Sequence, residues 1–471
     1  MEDTICAIAT PSGEGGIGII RVSGEKAIEI ASGIVRLTSG RSLTEVSSHT
    51  LCHADIVGAL SQSLLQSGQA STPLDEALAV VMRAPHSYTA EDIVEIHCHG
   101  GPFVLQCLCE ALVAKGARPA QPGEFTKRAF LNGKLDLTQA EAVLDTIRAK
   151  TAASLRLAQE QLRGSLSKEV DRISQRLMHL LAHVEAAIDF TEEGITFIQE
   201  QDLLRGVQSI LEELSRLVES YQEGRVLREG VTAAIVGQPN VGKSSLLNAL
   251  LRTDRAIVTP IPGTTRDVLE ETLNIRGVPV RLLDTAGIRE TADLAEQEGV
   301  RRSRAAMEQA DLLLVLLDGS VPLTPGERMS VPSDRDKKVV LVINKTDLPP
   351  ELSRRNVQDL ERAVSANATV WISARTGAGL DDLRDAIRNL VLRSEFEPGE
   401  TVVVTALRHR TGLTKAIEAL HRAVESINGR LSSEFVALDL RGALDALGDI
   451  LGVTTTDDIL DHVFSQFCIG K

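Results

Sequence analysis

The sequence predicts a multidomain fold: an N-terminal α+β unit, a helical unit, and a phosphate-loop α/β unit inserted in the helices. Two changes of texture and one Gly-rich loop carry that reading. Up to about residue 120, β-like runs at 17–22, 77–82 and 93–97 alternate with Gly-rich turns, with one helix near 101–114. From about residue 137 to 228 Gly and Pro thin out. Leu155, Leu162, Leu166, Val170, Ile173, Leu177 and Leu181 recur there at steps of three, four and seven, which reads as one packed helical stripe. At Val231 the texture changes again: apolar runs at 232–236, 280–283, 312–317, 339–343 and 369–372 alternate with helical stretches, as in a mainly parallel sheet flanked by helices. Helical spacing returns after about residue 393, at 412–427, 434–448 and 456–467. Helices on both sides of a compact α/β unit point to an insertion, although two separate helical domains would give the same spacing. The domain boundaries expected are 1–120, 121–228, 229–393 and 394–471.

Composition narrows the function. A net charge of −15 argues against a protein held to RNA by overall charge, and 3% aromatics argue against base-stacking platforms. RNA contact would need a local basic patch or a partner that brings one. Six cysteines without a CxxC pair predict reduced thiols. The acidic, Gly-rich start MEDTICAIATPSGEGG has no basic flank and apolar core, so it is not a secretory signal. No apolar run approaches the roughly 20 residues of a bilayer span. A soluble, cytoplasmic protein with no membrane partner is expected.

The segment GQPNVGKS (237–244) follows the run at 232–236 and precedes a helical stretch at 245–251. It matches the G-x-x-x-x-G-K-[ST] phosphate loop in its strand–loop–helix setting. The loop and first helical turn, through Asn240, Val241, Gly242, Lys243, Ser244 and Ser245, would surround phosphate oxygens at a helix N-terminus. Lys243 would reach the β/γ-phosphates and the Ser244 hydroxyl would ligate Mg²⁺. DTAG (284–287) closes the next strand, placing Asp284 for the Mg²⁺ water shell and Gly287 for the γ-phosphate. NKTD (344–347) contributes Asn344, Lys345 and Asp347. The Asp347 carboxylate can accept from both N1–H and the exocyclic amine of guanine, a donor pair that adenine lacks. SAR (373–375), with Ser373, Ala374 and Arg375, completes the base pocket, and Thr265 in GTTRD (263–267) is placed to ligate Mg²⁺ once the γ-phosphate is bound. These ordered elements identify a GTPase.

One departure matters. Ras-like GTPases carry a Gln directly after the DxxG glycine to orient the attacking water, whereas here that position is Ile288. Hydrolysis therefore needs another group. Arg266 and Arg289 lie in the switches without forming an obvious arginine finger. Asn240 offers a side-chain carbonyl at which a monovalent cation can bridge protein and phosphates, and VTPIPGTT (258–265) can fold its carbonyls over such a cation.

The segments ATPSGEGGIGIIRVSG, YTAEDIVEIHCHGGP and PGEFTKRAFLNGKLDLTQAEA, the nucleotide motifs and the terminal CIGK together extend the comparison over essentially the whole chain. In these the sequence resembles the MnmE (TrmE) family of tRNA modification GTPases. The resemblance implies K⁺ in the arginine-finger position, held by Asn240 with Thr259, Ile261 and Thr264, and G domains that pair across their nucleotide faces when GTP binds. It implies that Glu296, in ADLAEQEG, orients the attacking water through a bridging water, with Glu290 and Glu298 as solvated neighbours. The N-terminal domain is similar to the folate-binding domain of the glycine-cleavage T-protein group. In the MnmE family this domain also dimerises, which implies a homodimer, and it binds 5,10-methylene- or 5-formyl-tetrahydrofolate at positions that fall here on Arg21, Glu95, Lys134 and Lys471.

The activity so implied is a K⁺-stimulated, Mg²⁺-dependent GTPase acting with an FAD-dependent partner of the MnmG (GidA) family, in an expected heterotetramer. Together they would install an aminomethyl or carboxymethylaminomethyl group at C5 of the tRNA wobble uridine, with Lys243, Glu296 and Cys468 as catalytic candidates. Two other readings stand beside it. A regulatory or ribosome-assembly GTPase of the Era/Der type shares the loop and switches but lacks the folate-like segment and the terminal Cys. The other is a folate-dependent one-carbon enzyme with an accessory GTPase.

Lesser features have plainer readings. In HCH (97–99) the two His share a strand face opposite Cys98, which disfavours a metal site. Cys107 and Cys109 read as helix core. Basic residues at Arg148, Lys150, Arg156, Arg163, Lys168, Arg172 and Arg176, and at Arg408–Arg410, Lys415 and Arg422, form either a solvated face or a contact for tRNA phosphates or the partner. The ending FCIGK fails as a prenylation box because Gly and Lys close it. The resemblance instead docks this tail on the N-terminal domain, with Cys468 near the one-carbon donor.

Overall fold

The computed structural model describes residues 3–57, 73–189, 199–256, 271–283, 305–322, 337–392, 402–454 and 456–471. It divides into two compact units, one built mainly from residues 1–144 and 448–471, the other from 145–259 and 266–447.

The first unit is organised by a seven-stranded sheet of β1 (Ile5–Ile8), β2 (Gly15–Ser23), β3 (Val35–Leu37), β4 (Leu51–Ile56), β5 (Asp75–Met82), β6 (Ile93–Gly100) and β7 (Arg118–Pro119). Its order is β3-β4-β5-β6-β2-β1-β7, antiparallel except where β1 meets β7. Helices Ala27–Ser32 and Pro102–Ala114 share one core with Ile20, Val22, Ala79, Val81 and Ile96. Two helices thus stand where one was expected, since the six residues of Ala27–Ser32 are too few to reveal a helical period. Helices Glu124–Leu131 and Asp457–Ser465 enclose a second cluster in which Leu137, Leu460, Phe464 and Phe467 are buried. The end of the sequence therefore packs against the segment that follows β7.

In the second unit a six-stranded sheet holds β8 (Val231–Val236), β9 (Glu271–Ile275), β10 (Val278–Leu282), β11 (Leu312–Asp318), β12 (Lys338–Asn344) and β13 (Ala368–Trp371). The order is β13-β12-β11-β8-β10-β9, and only the β9–β10 hairpin is antiparallel. β11 is buried at all seven positions, as a parallel strand covered on both faces must be. The helical part comprises Ala152–Leu162, Ser165–Asp189, Glu200–Glu219, Tyr221–Glu229, Leu407–Asn428 and most of Ser433–Leu451.

The expected leucine stripe is not continuous. Leu166, Val170, Ile173, Leu177 and Leu181 are buried, but Leu155 is exposed and Leu157 takes its place in the core. The reason is Gly164, whose φ of +79° ends one helix and starts the next, so the two have different rotational phase. Among the described residues no helix is long and apolar enough to cross a membrane.

Candidate functional site

The phosphate loop lies between β8 and the helix Lys243–Asp254. Its turn needs left-handed backbone at two points, Asn240 (φ +65°) and Gly242 (φ +102°). Asn tolerates that region better than other residues with a side chain. Gly242 has a second reason: a Cβ there would stand 2.3 Å from Nδ2 of Asn344. The buried Asn344 ties three motifs together. Its Nδ2 donates to the Val241 carbonyl at 2.8 Å, and its Oδ1 accepts from the Ala374 amide at 3.0 Å.

Lys243 is folded back on its own loop, with Nζ donating to the carbonyls of Gly237 (2.6 Å) and Gln238 (3.1 Å). Burial lowers its pKa, so a bound phosphate would be a favourable counter-charge. Ser244 and Ser245 are exposed on the first helical turn. At the base-recognition end, the Ser373 hydroxyl donates to Asp347 Oδ1 at 2.7 Å, and this bond lowers the pKa of the exposed carboxyl. Asp347 is thereby held as an anion, able to accept two hydrogen bonds. Arg375, two residues after Ser373, is exposed, and its charge also favours the Asp347 anion.

Sequence reasoning passed over Asp318. It ends the apolar run LLLVLLD, and its Oδ2 pairs with Lys345 Nζ at 2.5 Å while Oδ1 accepts from Ser320. Burial would raise its pKa, but the hydrogen bonds from Lys345 and Ser320 outweigh burial and lower it. A carboxylate closing an otherwise apolar buried strand was the available signal. Thr259, Ile261, Thr264, Thr265, Arg266, Asp284, Gly287, Ile288, Arg289, Glu290, Glu296 and Glu298 lie outside the described residues.

In the first unit Arg21 on β2 stands opposite Glu95 on β6 in the ladder. Arg21 Nε and Nη2 each lie 2.8 Å from Glu95 Oε1. The guanidinium carbon is 5.2 Å from the Tyr88 ring centroid and 5.6 Å from that of Phe125, within cation–π range. Glu95 Oε2 faces His97 Nε2 at 3.3 Å. The tail arrives at the same place: Arg21 Nη1 donates to the Gly470 carbonyl at 3.3 Å. Burial and the neighbouring Arg21 charge lower the pKa of Lys471, with Glu95 opposing them. Lys134 Nζ donates to the carbonyl of Ser87, one residue before Tyr88. Cys468 is exposed, and its carbonyl accepts from the Gly123 amide at 3.4 Å. Arg21, Glu95 and Lys471 are thus brought together, whereas Lys134 is engaged by backbone. Tyr88 and Phe125 were missed as individual residues and His97 was weighed only as a metal ligand, although each lies within a segment that carries the family resemblance.

The remaining candidates separate. His97 faces Glu95, His99 pairs with Asp75 at 2.7 Å, and Cys98 is buried on the other face with its pKa pushed up to about 11, chiefly by burial. Cys107 is buried in the core, and the half-buried Cys109 has its pKa raised by a hydrogen bond with Cys6. Among the described residues no three His, Cys, Asp or Glu side chains gather as metal ligands. Arg172 and Arg176 both reach Glu213 (2.5 and 2.6 Å), and Arg422 meets Asp439 at 3.0 Å, so this part of the basic charge is locally neutralised.

Comparison with known proteins adds independent information. Residues 4–134 match the family model described as the GTP-binding protein TrmE N-terminus, and residues 137–468 match that of the MnmE helical domain. Proteins named tRNA modification GTPase MnmE are similar over the full length of both chains. They include those of Geobacter metallireducens (47% identical over 472 residues), Carboxydothermus hydrogenoformans (45% over 471) and Alkaliphilus metalliredigens (43% over 471). Each covers 100% of this chain and is itself covered over 100% of its length.

Proposed function

This chain belongs to the MnmE family of tRNA modification GTPases, and from that premise we propose that it is a cytoplasmic, homodimeric, K⁺-stimulated GTPase that modifies the wobble uridine of tRNA. The observation that carries the nucleotide part is Asn344, which draws the phosphate loop and the base-recognition loop onto one side chain. GTP would lie with its phosphates on the loop amides and Lys243, and with guanine on Asp347, which Ser373 holds ionised and oriented. Ser244 and Thr265 would hold Mg²⁺. Asn240 with Thr259, Ile261 and Thr264 would hold K⁺; Asn240 fits that role because it is exposed and left-handed within the phosphate loop. These cations would neutralise charge developing on the phosphates. Glu296 orients water in this reading.

The tetrahydrofolate ligand would supply a one-carbon unit, and Arg21, Glu95 and Lys471 would bind and orient it, with Lys134 and Cys468 at the periphery. A carboxylate between two cations, one of them over the Tyr88 and Phe125 rings, fits a flat heterocycle that bears N–H donors and an anionic tail. An FAD-dependent MnmG-family partner would complete the reaction on tRNA in a heterotetramer. The Era/Der-type reading is disfavoured because the sequence match includes the N-terminal 4–134 segment. Mass spectrometry of tRNA nucleosides from a deletion strain tests the proposal. Loss of the C5 wobble modification is expected, and an unchanged nucleoside profile would refute it.

A further inference from the structure

We propose that Arg21 is a positioning residue that couples the Glu95 carboxylate to the 468–471 tail, so that an anionic ligand bound at Glu95 and Arg21 tightens the docking of Cys468. The ligand arm rests on the folate reading above; the coupling between Arg21 and the tail does not.

Three of the five guanidinium N–H donors are committed: Nε and Nη2 to Glu95 Oε1 at 2.8 Å each, and Nη1 to the Gly470 carbonyl at 3.3 Å. The guanidinium lies over the Tyr88 and Phe125 rings, and only 14% of the side chain is exposed. Two N–H groups remain for a ligand anion, but the guanidinium cannot swing away from this position without releasing either Glu95 or the tail. Its place is between them.

Backbone geometry supports the same role. Gly470 has φ +98°, and a Cβ there would stand 2.3 Å from the Ile8 carbonyl, so the tail lies directly against β1. Cys468 is fixed from the other side by the Gly123 amide, and Phe467 is buried against Phe464, with ring centroids 5.7 Å apart. Lys471 then brings a second cation beside Arg21, with Glu95 as the opposing charge. An anionic ligand relieves that repulsion and favours the docked tail. By linkage, loss of the docked tail must weaken the ligand by the factor by which the ligand tightens the tail.

Hydrogen exchange of the full chain, followed by mass spectrometry of the peptide covering 465–471, tests this with and without 5-formyl-tetrahydrofolate. Arg21→Lys keeps the charge but loses the planar fork that spans Glu95 and Gly470. Its tail peptide should exchange at least about tenfold faster than wild type at an unchanged unfolding midpoint. Gly470→Ala expels the tail while leaving the Arg21–Glu95 pair intact, and should weaken ligand binding by the factor by which ligand slows wild-type exchange. Tail exchange within twofold of wild type in Arg21→Lys would overturn the proposal, as would expulsion of the tail in Gly470→Ala at unaltered ligand affinity. Absence of 5-formyl-tetrahydrofolate binding to wild type in equilibrium dialysis would overturn the folate reading and the ligand arm. The Arg21→Lys comparison would still decide the latch.

Discussion

Asn344 stands 103 residues beyond Val241, and its Nδ2 donates to the Val241 carbonyl at 2.8 Å. Replacing it with Ala removes this bond and the one to the Ala374 amide, leaving a buried carbonyl and a half-buried amide without these partners. Each such loss costs about 1–3 kcal/mol. We expect Asn344→Ala to weaken nucleotide binding by at least about tenfold, measured by titration with a fluorescent GDP analogue. Wild-type affinity would show that the bridge is dispensable.

Asp347 is held ionised by Ser373, and an Asn in its place would present one donor and one acceptor instead of two acceptors. Asp347→Asn should lose affinity for GTP and gain it for xanthosine triphosphate, whose ring carries a carbonyl where guanine has its amine. Competition binding with both nucleotides reads the exchange; an unaltered preference would remove Asp347 from base recognition.

Ile288 stands where a water-orienting Gln is found in Ras-like GTPases, and Asn240 projects from the loop in a left-handed conformation. GTP turnover should therefore be well above its Na⁺ value when K⁺ is supplied, and Asn240→Ala should abolish the difference. Equal steady-state rates in the two salts would exclude the cation role.

Arg128 is fully buried and meets Asp3, Glu91 and Glu124 at 2.7, 3.2 and 3.1 Å. Removing one partner of a buried ionic set costs about 3–5 kcal/mol, less here because Asp3 is half exposed. A clear drop in unfolding midpoint is expected for Arg128→Met. The pH dependence has a definite sign. A hydrogen bond from Arg118 leads in lowering the pKa of Asp3; for Glu124, burial is outweighed by bonds from Arg118, the Gln121 amide and Arg128. Carboxylates depressed in the folded state contribute stability above their ordinary pKa of about 4 and lose it as pH falls through the lower folded values. The midpoint should fall below about pH 4 in wild type and fall less in Arg128→Met; parallel curves would contradict the account.

Sequence revealed the nucleotide motifs because each is contiguous: a phosphate loop needs its Gly, Lys and Ser within eight residues of one turn. Contacts that cross the chain left no such mark. Arg21 and Gly470 are 449 positions apart, and nothing local at either announces the other. Asp318 went unnoticed because one carboxylate after six apolar residues also suits a strand end. Leu155 was misassigned because the period was carried through Gly164, where the helix restarts in a new phase. Tyr88 and Phe125 were visible only as letters within longer segments, since an aromatic residue that clamps a guanidinium has no spacing of its own.

The helix Tyr221–Glu229 leads out to the nucleotide-binding sheet, and the chain comes back through the segment around Val403–Ala406. Gln161 Nε2 bonds the Val403 carbonyl and the Thr405 hydroxyl, the Val404 amide bonds the Ser220 hydroxyl, and a Cβ on Gly224 would lie 2.2 Å from the Val404 carbonyl. Departure and return are therefore stitched into one double-threaded stem. A single linker lets a domain swivel about its bonds and dissipates torque. Two threads bonded to each other and to Gln161 resist twisting, so a rotation imposed at the nucleotide end reaches the helices as strain in both threads at once.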